Sequence, residues 1–278
     1  MQADIPNGGK SARAPRSRTL SLAMIAVLAF VVLVLISPAW PLPFLDKMDV
    51  VGSAVCGRLA DHSFFLAGRQ LPLCARCTGT FIGATLGFVG LLGLGKRKAA
   101  QMPPAPVLGL LIGFIFLMAV DGLNSYLSLL LNRPLLYPPH NLLRLITGTL
   151  HGLALSVIVF PIFNFTLWKD PEDRPALTGL RELGVILLLL ALPMVLLVQG
   201  EIGLLLYPVA ILSAMGVLAM LTVVNSMIVI IATRREAKAL FWWDVAWPVS
   251  IGFAASMVEI AVIAVLRWQF SLALGIPF

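Results

Sequence analysis

All three cysteines of the chain lie in one stretch, Cys56-Gly-Arg-Leu-Ala-Asp-His62-Ser63-Phe64 followed by Gly68-Arg69-Gln70-Leu-Pro72-Leu-Cys74-Ala-Arg76-Cys77-Thr78-Gly79. A Cys-x-x-Cys pair at the mouth of an apolar run is set where unpaired helical amides favour a thiolate, and a neighbouring arginine favours it further. Three chemistries fit these residues. Cys56, Cys74 and Cys77 can give zinc three thiolates with His62 or His140 as the fourth ligand, a common set for a structural site that would hold this segment over the adjoining helices. Cys74 and Cys77 can instead cycle between dithiol and disulfide while Cys56 exchanges with an external partner, although no second Cys-x-x-Cys pair exists to pass electrons on. Cys56 can also close a structural disulfide with either later cysteine, leaving one thiol over.

Two apolar runs further on carry polar residues at helical spacing. Asp121, Asn124, Ser125 and Ser128 share one face, and Asn141, Arg144, Gly148 and His151 share another with Thr147 beside them. A lone charge inside a bilayer is costly, so Asp121 is expected to pair with Arg144, with Asn124 or Asn141 filling the remaining hydrogen bonds. Arg69, Arg76, Arg133 and Arg144 together read as a cationic pocket at headgroup depth, suited to an anionic lipid or a small anion bearing phosphate or carboxylate. Glu259 in the last apolar run and Glu201 at the edge of the run before it are candidates for ion handling, which makes transport a further class. No inverted repeat accompanies them. No pairing of nucleophile with base names a reaction, and which proteins the chain contacts is left open.

These residues must be positioned by helices in a bilayer. The chain has 278 residues, 59% hydrophobic and 12% charged with a mean hydropathy of +0.97, which is more apolar than a soluble domain tolerates. The apolar surplus falls into runs of about 17 to 25 residues, the length that crosses a hydrocarbon core. They read as spans at Leu20–Ile36, Thr78–Leu94, Val107–Leu131, Leu142–Leu167, Leu183–Val198, Ile202–Ala232 and Val245–Leu266. The expected fold is an all-α polytopic transmembrane bundle of about seven helices. Residues 1–19 read as a basic cytoplasmic N-terminus, 20–174 as a membrane domain with the cysteine segment and four helices, and 175–278 as further membrane helices. The first run is longer than a signal h-region, and Ser-Pro-Ala-Trp-Pro follows it rather than a small-x-small cleavage site, so it reads as a retained anchor.

A net charge of +7 comes from topology rather than from nucleic-acid binding. Lys10, Arg13, Arg16 and Arg18, then Lys96, Arg97 and Lys98, then Lys169, Arg174 and Arg181, then Arg234, Arg235 and Lys238 fall on alternate loops. The positive-inside rule then sets the N-terminus inside and the C-terminus outside, with the cysteines extracytoplasmic. Lys47, Arg58, Arg69, Arg76, Arg133, Arg144 and Arg267 oppose this preference, and all but Lys47 and Arg267 lie near other unusual polar residues. The segment from Ser37 to Ala75 opens with Pro38, Pro41 and Pro43, which hold it extended. Gly79, Gly83, Gly87 and Gly90, and Gly148 and Gly152, form faces for close helix packing. Phe241, Trp242, Trp243 and Trp247 read as an interfacial belt.

Several of these pieces resemble one family. The Cys56 segment with Ser63-Phe64, the run from Gly68 to Gly79, Asp121-Gly122, and Asn141-Leu-Leu-Arg144-Leu-Ile-Thr147-Gly148 occur in the order found in the prokaryotic membrane-protein family described as domain of unknown function 2085. The resemblance spans Cys56 to Gly152. It implies a multi-pass protein of a prokaryotic plasma membrane and brings no activity with it. Members of that family commonly carry His directly after the first cysteine and Arg before the Ser-Phe pair, where this chain has Gly57 and His62.

Overall fold

The computed structural model describes residues 42–274. The expected span Leu20–Ile36, the basic N-terminus 1–19, Pro38 and Pro41 lie outside the described residues. Within them the chain is helical, with six helices long and apolar enough to cross a membrane. The secondary structure runs α1 Phe44–Ser53, a hairpin of β1 Phe65–Leu66 and β2 Arg69–Gln70, α2 Ala75–Gly93, β3 Ala99–Gln101, α3 Ala105–Leu131 and α4 Asn141–Leu167. It continues with β4 Glu172–Pro175, α5 Leu180–Gln199, α6 Leu206–Ala232 and α7 Trp242–Leu274.

The six spans read from hydropathy within residues 42–274 correspond to α2 through α7, and the ends differ where polar residues extend an apolar helix into the interface. One element departs from expectation. The segment after Pro43 is not an extended connector but the helix α1, which starts at the proline and buries Leu45, Lys47, Val51 and Gly52. Pro43 fits there because its fixed φ suits the residue that opens a helix. Pro208 falls in the first turn of α6, where its missing N–H leaves no bond unmade. Pro193 lies inside α5 and is met by a widened turn over Leu187–Ala191, just upstream, which relieves the clash of its ring with the preceding turn.

The centre of the bundle is the pair α2 and α4, joined through glycines on both sides. A methyl group at Gly79 or Gly83 would run into the carbonyl oxygens of Leu145 and Thr149, and one at Gly148 or Gly152 into those of Arg76 and Thr80. Around this pair, α3 packs on α4, while α6 packs on α2 and carries α7 on its other side. Apolar layers fill the gaps. One joins Leu66, Leu71, Ile82 and Leu145 to Val198, Val209 and Ala210, and another joins Leu91, Leu111, Leu153 and Val157 to Leu183 and Ile186.

The two ends of the bundle differ in chemistry. At one end β3 pairs in parallel with β4, and Trp168 bridges to Ala239. This end carries Lys96, Lys98, Arg174, Arg235 and Lys238. Lys96 reaches Glu182 at 3.0 Å, Lys98 sits 4.1 Å over the Trp168 ring, and Trp242 meets Trp168 edge-on. The other end carries α1, the hairpin, the 132–140 loop and the turn before α6. Ala67 and Gly68 both have positive φ, the geometry of the two-residue turn that suits a twisted hairpin.

The backbone contact makes a clear prediction. Gly152→Ala should lower stability by about 1–3 kcal/mol, the usual cost of forcing extra volume into a packed site, whereas Gly109→Ala, with open space around it, should not lower it. Thermal unfolding of the detergent-solubilised variants checks both.

Candidate functional site

The three cysteines are drawn together from two parts of the chain. Cys56 follows α1, Cys74 is the N-cap of α2, and Cys77 lies in the first turn of α2. Their Sγ atoms all lie within 4.8 Å of one another, and all three are free thiols. The backbone amides of Arg58 and Cys74 donate to Cys56 Sγ at 3.4 and 3.3 Å. Positive φ at Arg58 turns the chain so that its N–H points back at the sulfur. Cys56 is the sulfur that these surroundings hold as a thiolate. Hydrogen bonding from the Cys74 and Cys77 thiols, then from the two backbone amides, pushes it down to about 2, while Cys74 is pushed up by serving Cys56 as donor. An apolar shell of Val51, Leu73, Ala214, Val217 and Ile260 surrounds the group.

The loop that carries Cys56 is held from several sides. Arg267 of α7 donates to the carbonyl oxygens of Ser53 and Cys56, the latter at 2.6 Å. Gln70 donates to Arg58 O at 2.8 Å and to Ser63 Oγ at 2.9 Å, and Asn141 of α4 donates to Ser63 O at 3.2 Å. On α1, Asp46 and Asp49 sit one turn apart and take Arg69, while Asp49 also takes Arg58 at 3.1 Å. Burial pushes the Asp49 carboxyl up, opposed by those two arginines. Gly52 presses α1 against the Pro72 carbonyl.

Neither histidine joins the sulfurs. His62 lines a separate cavity with Asp61, Ser125, Ser128, Arg133 and Arg144. Burial and the Arg144 and Arg76 charges push it down, so it is neutral at pH 7. His140 caps α4, its Nδ1 accepting from Leu142 N at 3.2 Å. The cysteine group therefore offers three ligand atoms among the described residues.

The expected pairing of Asp121 with Arg144 is not what forms. Asp121, 1% exposed, is taken by Arg76, whose Nη2 lies 2.5 Å and Nε 3.1 Å from Oδ2. Tyr137 donates to the other carboxylate oxygen at 3.0 Å, and Arg76 also reaches Ser125 Oγ at 2.9 Å. The reason is geometric. The glycine contact seats the Arg76 backbone on Gly148 of α4, and from there its side chain reaches Asp121 of α3. Asn124 instead anchors the 132–140 loop, donating to Tyr137 O at 3.0 Å and accepting from Leu136 N at 2.9 Å. The four-arginine pocket is likewise reduced, since Arg69 and Arg76 are neutralised by acids while Arg133 and Arg144 face the cavity.

The remaining candidates lie apart. His151 is half buried on α4, and its Nδ1 has no hydrogen-bond partner among the described residues. Glu259 stands on the exposed side of α7 and accepts from Asn225 of α6 at 2.9 Å, an amide that also reaches Ser256 at 3.0 Å. Glu201 occupies a positive-φ turn before α6. The sequence reading missed Asp46, Asp49, Tyr137 and Arg267. Only the acids had a visible signal, two carboxylates three residues apart in a short amphipathic stretch.

The likeness to known proteins covers the cysteine segment, α2, β3, α3 and most of α4. Residues 56–158 match the family described as predicted membrane protein, DUF2085. This family segment thus holds all three cysteines, Arg76, Asp121 and Arg144, and extends a few residues beyond the resemblance read from Cys56 to Gly152. The uncharacterized protein MJ1492 of Methanocaldococcus jannaschii is 29% identical over 119 residues, covering 43% of this chain and 70% of that protein. No solved structure matches.

Removing one partner of a buried pair leaves the other charge uncompensated. Asp121→Asn should therefore cost about 3–5 kcal/mol. Thermal unfolding should show that loss, with Asp121→Glu milder because it keeps the charge.

Proposed function

We propose that this chain is a multi-pass protein of a prokaryotic plasma membrane whose extracytoplasmic end holds a zinc-class ion through Cys56, Cys74 and Cys77. The observation that carries the reading is the gathering of three free sulfurs within 4.8 Å. Zinc–sulfur bonds of about 2.3 Å put tetrahedral thiolates about 3.8 Å apart, so small side-chain adjustments would suffice. The donor chemistry agrees. One sulfur is already favoured as a thiolate, two backbone amides serve it, and the other two stand at a helix N-terminus, an end that suits the thiolates a bound metal would make of them. Assignment of this end to the outside draws on the basic residues at the opposite end.

Bound there, the ion would tie the Cys56 loop to the start of α2 and leave one coordination position for water or an external ligand, because His62 lies in the neighbouring cavity. Arg267 and the two amides orient Cys56, and the apolar shell keeps bulk water from the sulfurs. A reaction is not part of the reading.

Purified protein should carry about one metal ion per chain by mass spectrometry, as a single three-thiolate site requires, and Cys74→Ser and Cys56→Ser should each lose it. Replacement by cobalt should give intense near-ultraviolet thiolate bands. A metal-free protein with a single titratable thiol would sink the reading, and thiol exchange between Cys56 and the Cys74–Cys77 pair would take its place.

A further inference from the structure

Arg144 is placed where a cation should not be. It is 4% exposed and stands in the first turn of α4, the positive end of a 27-residue helix, where a positive charge is disfavoured. Its Nη1 donates to Asn141 Oδ1 at 2.7 Å, a neutral acceptor, and its Nε has no hydrogen-bond partner. The acid that would neutralise it, Asp121, is occupied by Arg76, Tyr137 and Thr147. Among the described residues no carboxylate pairs with Arg144. A buried guanidinium left this way is strongly unfavourable unless an anion meets it.

The cavity beside Arg144 is built to supply that anion. It holds about 330 Å³ and is lined by His62, Ser125, Ser128 and Arg133 besides Arg144, with Asp61 exposed at its rim. Ser125 Oγ accepts from Arg76 and Ser128 Oγ accepts from the Leu135 amide at 3.3 Å. Each hydroxyl thus has its proton free to donate into the cavity. Arg133 and Asp61 are the exposed charged members of the lining. An interior of guanidinium and hydroxyl donors at a helix N-terminus is complementary to a phosphate group.

We propose that this cavity binds a phosphate-bearing ligand, with Arg144 as the buried counter-charge, Ser125 and Ser128 as hydroxyl donors, and Arg133 capturing the anion at the mouth. The volume exceeds what inorganic phosphate fills and falls in the range of small organic ligands. The phosphate is therefore carried on a larger group, either a water-soluble organic phosphate or a lipid headgroup. The site is independent of the metal proposed at the cysteines.

Thermal unfolding of the full chain in uncharged detergent tests this, since a ligand that binds only the folded state raises the midpoint saturably. The probes are glycerol 3-phosphate and dihexanoyl phosphatidic acid, against sodium chloride at matched ionic strength. A shift with glycerol 3-phosphate identifies a soluble phosphate, and a shift with the phosphatidic acid alone identifies a headgroup. Arg144→Gln should abolish the shift or weaken binding at least about tenfold, the scale of one charge-assisted contact. Without probe it should be no less stable than the parent, whereas a purely structural Arg144 would make it less stable. Arg133→Ala, an exposed change that leaves packing intact, should weaken binding about two- to fivefold. No shift with either probe in the parent chain overturns the proposal, and so does an equal shift in Arg144→Gln or, should that variant not fold, in Arg133→Ala.

Discussion

In a bilayer two helices gain nothing by hiding apolar surface from lipid, so the contact between α2 and α4 depends on how closely their backbones approach. Gly79 and Gly83 on one helix and Gly148 and Gly152 on the other remove the atoms that would keep them apart. Everything at the cysteine end follows from that approach. With α2 fixed against α4, Arg76 is directed at Asp121 of α3, the cysteines of the same turn face α1 and α6, and Asn141 at the start of α4 reaches the Ser63 carbonyl. A looser pair would free all three.

The charges at that end are sorted rather than pooled. Asp46 and Asp49 neutralise Arg69 and Arg58 above the bundle, and Asp121 neutralises Arg76 within it. Among the described residues no acid pairs with Arg144. The sulfurs and the cavity thus sit in opposite electrostatic settings, one favouring a thiolate at Cys56 and the other presenting a guanidinium that no described carboxylate pairs. The Cys56 loop and Ser63 connect them through Gln70.

Much of the architecture was legible because a membrane leaves few options. Apolar runs of spanning length must be helices, so α2 through α7 follow from hydropathy, and the four-residue spacing of Gly79 and Gly83 carries its packing role openly. The cysteine cluster was legible for a different reason, since all three sulfurs lie close in sequence. Partnerships across elements were not. Which arginine reaches Asp121 depends on the separation and rotation of three helices, which periodicity within each helix does not encode. His62 looked like a ligand because it is near Cys56 in sequence, but the short turn Ala60–His62 swings it toward α3 and α4. Arg267 had no visible role because its partners are carbonyl oxygens more than two hundred positions away, and backbone acceptors leave no mark in a sequence.

That last contact has a bearing on the order in which the molecule is made. Chains emerge from the ribosome starting at the N-terminus, and Arg267 belongs to α7, the last of the described helices. While α7 is still being synthesised, the carbonyl groups of Ser53 and Cys56 lack their Arg267 partner, and the loop is held by Gln70, Asn141 and the acids of α1. The thiols are then at their most accessible. Completion of α7 closes the clamp and adds Ile260 to the apolar shell, so access to the three sulfurs narrows only once this helix is in place.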